Sequence, residues 1–147
     1  MKKWILASLF SVSASATACP DITGVYMSKD GVPTKYEQQG CTTLARYIGE
    51  TDAKGKVTFP EAGMHFMMNG KPNCGIRNFC TTLRPMADHI EVELNFESGV
   101  VTDQHGQCSQ HGYNLSLDKD GNLIADYQVT NCTDKFSGTA RKTSNKL

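Results

Sequence analysis

The chain lacks a long apolar run. Its one near-continuous stretch, Trp4 to Val12, covers nine residues, well short of the ~20 that a membrane-spanning helix needs. It also lacks an excess of either charge. Lys and Arg number 15 and Asp and Glu 15 in 147 residues, and no basic cluster is present, which argues against nucleic acid as a partner. Helical periodicity is missing, as are low-complexity linkers and internal repeats, so one domain without helices is expected. No C-x-x-C, H-E-x-x-H or G-x-S-x-G occurs, so no familiar metal or hydrolase signature is available.

What is present begins with a leader. Met1-Lys2-Lys3 is basic, the Trp4–Val12 stretch is apolar, and Ala16-Thr17-Ala18 is an A-x-A cleavage site. This is the three-part pattern of a secretory signal peptide over residues 1–18, leaving residues 19–147 as the mature domain. Cleavage takes Lys2 and Lys3 away and moves the formal net charge from 0 to −2. The expected location is periplasmic or secreted. If cleavage exposes Cys19 as the new N-terminus, lipid anchoring there is the alternative, although the lipobox position holds Ala16 and lipidation would orphan Cys41.

The six cysteines, Cys19, Cys41, Cys74, Cys80, Cys108 and Cys132, all lie in the mature part. In an exported chain they read as three disulfides, with about fifteen connectivities open. Turn chemistry narrows these. Lys29-Asp30-Gly31 forms a three-residue hairpin loop whose glycine supplies the left-handed position, so facing residues have numbers summing to 60. Tyr26 then meets Thr34, and Cys19 meets Cys41. Lys119-Asp120-Gly121 has the same form, with pairs summing to 240. Leu115 meets Ala125, Tyr113 meets Tyr127, and Cys108 meets Cys132. Cys74 and Cys80 remain and close the turn between them.

Two-residue alternation with turn signals about every ten residues indicates an all-β sandwich or barrel. The clearest strand is Asp88 to Ser98, with Ile90, Val92, Leu94 and Phe96 on one face and His89, Glu91, Glu93, Asn95 and Glu97 on the other. Further strands are expected at 21–28, 33–39, 42–49, 56–60, 62–69, 76–84, 100–110, 111–118, 122–130 and 135–142. Lys142 to Leu147 reads as a polar tail. Short loops between neighbours suggest an antiparallel up-and-down meander, stapled by the disulfides.

Gly24-Val25-Tyr26 on the first strand and Arg141 on the last resemble the lipocalin and fatty-acid-binding (calycin) pattern. In that superfamily a G-x-W/Y aromatic lies at the barrel floor beneath a basic residue of the last strand. The resemblance implies a small closed barrel, Arg141 over the Tyr26 ring, and a ligand-binding interior. The plainer reading of the same residues is that Gly24 relieves crowding and Tyr26 is core.

Face parity adds Met64, Phe66, Met68, Tyr113, Leu115 and Tyr127 as residues lining that interior. Met64-His65-Phe66-Met67-Met68 splits its thioethers and imidazole between two faces, which suits apolar packing better than copper. His105 and His111 lack a third ligand, and the His89-x-Glu91-x-Glu93 face spaces its groups too widely for one ion. Asp118 to Asn122 departs from a calcium loop in its glycine position. Asn114-Leu115-Ser116 and Asn131-Cys132-Thr133 are glycosylation sequons, relevant only in a eukaryotic host.

These residues lead to an expected exported, noncatalytic binding protein for a small apolar or amphipathic ligand, without cofactor or metal. The competing expectation is a structural or interaction module of the bacterial envelope with a filled core. A secreted enzyme or inhibitor is the third class. Cavity volume separates the first two.

Overall fold

The computed structural model describes residues 18–75, 79–95 and 99–147. The leader, except Ala18, and the expected strand residues 76–78 and 96–98, Phe96 and Glu97 among them, lie outside the described residues. The described chain forms thirteen strands and no helix: β1 Gly24–Met27, β2 Pro33–Gln39, β3 Thr43–Ile48, β4 Glu50–Thr51, β5 Val57–Thr58, β6 Met64–Met67, β7 Pro72–Cys74, β8 Cys80–Pro85, β9 Ile90–Leu94, β10 Gly99–Asp103, β11 Gly106–Leu117, β12 Leu123–Thr130 and β13 Gly138–Lys146. Eleven of them make one sheet in the order β6-β3-β2-β1-β13-β12-β11-β9-β8-β7, with β10 on β11 and β4–β5 as a separate hairpin. All pairings are antiparallel. The first and last strands in sequence are neighbours, and the sheet curls into a nearly closed up-and-down barrel. Along the main path curling leaves two edges, those of β6 and β7, while β10, paired with β11 alone, keeps its outer side unpaired.

Local turn chemistry sets the hairpins. Gly31 and Gly121 are left-handed at φ 77° and 81°, and the loops close through Ser28 N–H to Val32 C=O and Asp118 N–H to Asn122 C=O. The β1–β2 pairs, Tyr26 with Thr34 and Gly24 with Tyr36, have the expected register, as do Tyr113 with Tyr127 and Leu115 with Ala125. The same closure recurs at Asp52–Lys56 with Gly55 and at Cys132–Phe136, where Lys135 takes the left-handed position at φ 67°. The disulfides are Cys19–Cys41, Cys74–Cys80 and Cys108–Cys132. A bulge at His111 shifts the β11–β12 register by one before Cys108 is reached, and Asn131, at φ 52°, absorbs the offset.

Two expectations are corrected. Residues 106–117 are one strand, not two, and the turn falls at Gln104-His105. The polar segment after Arg141 is no tail. It continues β13 to Lys146, pairing Lys142 with Ala125 on one side and Lys146 with Tyr26 on the other. Backbone pairing makes no demand for apolar side chains, so nothing in Lys142-Thr143-Ser144-Asn145-Lys146 announces a strand.

The main core gathers Ile22, Tyr26, Tyr36, Leu44, Met68, Leu83, Ile90, Val92, Leu115, Leu123 and Ala125 inside the barrel. A second cluster, Val101, Cys108, Val129, Cys132 and Ala140, extends it at the β10–β11 end. β3 is covered on both faces. Leu44 is buried inside, while Ala45 and Tyr47 are buried outside, with Lys35 Nζ 4.2 Å from the Tyr47 ring centroid.

Candidate functional site

Cross-strand register assembles the site. On one wall Gly24, Tyr36, Arg46 and Met64 form a row across β1, β2, β3 and β6. On the facing wall Leu83, Val92, Tyr113, Tyr127 and Ala140 form a row across β8, β9, β11, β12 and β13. Residues directly opposite in a ladder share a face, so Arg46 points inward with Tyr36. Between the walls lies a cavity of only about 10 Å³, lined by Tyr36, Leu44, Arg46, Phe66, Thr81, Leu83, Val92, Tyr113 and Leu115.

Arg46 is the anomaly of this interior. It is half-buried, its Nε is buried without a hydrogen-bond partner, and no ion pair or other hydrogen bond joins its side chain to the described residues. Among the described residues no acidic side chain is buried in the core. Burial pulls the Arg46 pKa down, but Tyr36, Tyr113 and Tyr127 push it up and prevail. That upward push comes from tyrosinates, which form only at high pH; at neutral pH the guanidinium faces three neutral phenols. Burial raises the pKa of Tyr36, against a pull from Arg46, and also that of Tyr127. The Tyr113 and Tyr127 rings lie 5.2 Å apart and the Tyr26 and Tyr36 rings 6.2 Å. One further buried polar atom, Gln110 Oε1, lacks a partner; Gln110 faces Val129 across the ladder just beyond the bulge.

Of the residues expected in the interior, Phe66, Tyr113 and Leu115 line this cavity. Tyr127 packs beside Tyr113, and Met68 is core. Met64 is on the inward parity yet 44% exposed, at the edge strand of the sheet. Arg141 is corrected. It points outward and grips Asp126 with Nε–Oδ1 at 2.7 Å and Nη2–Oδ2 at 3.0 Å. Tyr26 instead faces Lys146, five residues further along β13. The parity of β13 explains this, because Ala140 opposite Tyr127 and Lys142 opposite Ala125 take the inward positions. Tyr26 donates its hydroxyl to Ile22 C=O at 3.0 Å. Its ring folds back over Gly24, where a Cβ would come 3.3 Å from the Tyr26 hydroxyl. A separate cavity of about 520 Å³ lies between the β1–β2 loop and β13, bordered by Ser28, Lys29, Asp30, Arg141, Lys142 and Ser144.

The histidines diverge. His105 stacks on Phe136 at 3.7 Å and bonds Asp134 at 2.9 Å, whereas His111 bonds Thr130 at 2.7 Å. Among the described residues, no three His, Cys, Asp or Glu side chains group as metal ligands. No helix of the described residues is long and apolar enough to cross a membrane.

Sequence reasoning missed Arg46 and Tyr36. The usable signal was alternation in Leu44-Ala45-Arg46-Tyr47, but both parities of that strand carry apolar side chains, so the inward one could not be read off. In comparisons with known proteins, the chain matches no family model, no curated protein and no solved structure.

Proposed function

We propose that the chain is an exported, noncatalytic binding protein for a small amphipathic ligand whose anionic group meets Arg46. The observation that carries this reading is the guanidinium held inside the barrel with an orphaned Nε and, among the described residues, no acid to answer it. Withdrawing such a cation from water without an acceptor is costly, and a ligand oxyanion supplies that acceptor. A carboxylate suits the planar fork of a guanidinium, with the phenols of Tyr36, Tyr113 and Tyr127 around it. The small cavity means that the apolar portion lies against Phe66 and Met64 at the opening rather than in a ready chamber. Three disulfides suit an oxidising compartment, and the leader pattern supports a periplasmic or secreted location.

The filled interior favours a second reading, an envelope interaction module without ligand. Calorimetric titration with laurate and dodecanol decides between them. The expected result is laurate binding at least about tenfold tighter than dodecanol, from one charge-assisted interaction. Arg46→Met should abolish that preference and, by removing an unpaired buried cation, stabilise the fold by about 1–2 kcal/mol. Equal binding of both probes, or of neither, would discard the Arg46 reading in favour of the module.

A further inference from the structure

The backbone ladder runs from β6 around the barrel to β7 and stops there. β6 and β7 are separated by only residues 68–71, yet they share no ladder pairing. One side chain crosses the gap. Asn73 Oδ1 accepts from Met67 N–H at 2.8 Å, and Asn73 Nδ2 donates to Met67 C=O at 3.1 Å. The same Nδ2 donates to Thr81 C=O on β8 at 3.1 Å. A single amide thus takes the place of a peptide unit and ties β6 to β8. Its own strand is held to β8 by register pairs that include the disulfide-bonded Cys74 and Cys80.

At the far end of β6 the edge strand is exposed to solvent. Met64 faces inward but is 44% exposed, and its cross-strand partner is Arg46. The cavity beside Arg46 is bounded by Phe66 on the β6 side of the gap and by Thr81 and Leu83 on the β8 side. The latch, the gap and the unpaired cation are therefore contiguous.

We infer that the β6–β7 seam is the entrance to the Arg46 pocket and that Asn73 is its latch. Breaking the Asn73 bonds to Met67 leaves β6 held toward β8 only through the connection that follows it, where Gly70 N–H donates to Leu83 C=O at 3.0 Å, and lets Phe66 swing away about that point without disturbing the β11–β13 ladder. What passes through the seam, the anionic head of a small amphiphile, rests on the binding reading above; the seam itself does not.

Arginine modification by phenylglyoxal, mapped by peptide mass, tests the seam without any ligand. Arg84 and Arg141, whose side chains are 44% and 66% exposed, serve as internal references. In Asn73→Ala the modification rate of Arg46 should rise about tenfold or more, the consequence of losing a tie worth a few hydrogen bonds. The reference rates should stay unchanged. Asn73→Asp keeps an acceptor for Met67 N–H but loses both donated bonds, so its rate should fall between the two. An unchanged Arg46 rate in folded Asn73→Ala would overturn the proposal, as would an equal rise at all three arginines. Should that variant not fold, hydrogen exchange of the wild type decides. Residues 64–68 should exchange before residues 123–130, and the reverse order would overturn the latch. Failure of laurate to bind the wild type strikes the binding reading alone, because the Arg46 rate still reports the seam.

Discussion

Tyrosine rather than tryptophan furnishes the aromatic content of this interior, and that choice has a consequence for pH. Burial pushes the pKa values of Tyr36, Tyr26 and Tyr127 upward from the ordinary 10.0. In the unfolded chain these phenols ionise near their ordinary value, while the folded state retains the protons. Their contribution is therefore fully present below about pH 10 and is lost as pH rises toward the folded values. Thermal melts between about pH 9 and pH 11.5 should show stability falling above pH 10, and Tyr36→Phe should fall less steeply than wild type. Identical slopes would mean that Tyr36 ionises without hindrance in the folded state. Face parity marked Phe66, Tyr113 and Leu115 as inward, because each lies beside a readable turn or on an alternating strand. Arg46 was not legible, because β3 buries Leu44 on one face and Ala45 and Tyr47 on the other, so alternation there carries no inside-outside signal.

Among the elements, the hairpins are local objects and β13 is not. A three-residue loop with a left-handed third position settles register for the strands on either side. That is why the β1–β2 pairs and the β11–β12 pairs up to the bulge follow from the turns, while Cys108 and Cys132 bridge beyond a one-residue shift of that register. β13 obtains its place from two neighbours, β12 and β1, that are remote from each other in sequence. Just past its end, Leu147 N–H donates to Val25 C=O at 2.9 Å. Truncation after Lys142 should therefore unfold the domain or lower its melting temperature by ten degrees or more, roughly a loss of ~2 kcal/mol or above for a domain of this size. A dispensable polar tail would leave the melting curve where it was, and circular dichroism melts of the truncated protein distinguish the two.

For the whole molecule, three disulfides occupy three different environments. Cys108 and Cys132 are 2% and 5% exposed within the second core cluster, Cys19 and Cys41 are half-buried, and Cys74 is exposed beside the seam. Thiol attack on a disulfide needs access to sulfur. Graded reduction followed by alkylation and mass mapping should therefore open Cys74–Cys80 first and Cys108–Cys132 last. Early loss of Cys108–Cys132 would show that the second cluster opens more readily than its burial implies. The long-range order of strands also explains why the main path of the sheet has two edges at all. β6 and β7 follow one another in sequence and could have paired as an ordinary hairpin, yet β7 pairs with β8 and leaves Asn73 to bridge the gap.

By itself the sequence determined the all-β class, the antiparallel meander, two hairpin registers and the three disulfides. Each of these follows from short-range rules linking turn residues to the strands they join. Only the tertiary structure decided that the polar segment after Arg141 closes the barrel, that Arg141 faces outward to Asp126, that the cavity beside Arg46 holds only about 10 Å³, and that Arg46 stands there without an acid among the described residues. Those outcomes depend on backbone pairing between distant segments, which is blind to side-chain polarity. They depend equally on the combined volume of side chains from six strands meeting in one space, which no single strand's pattern records.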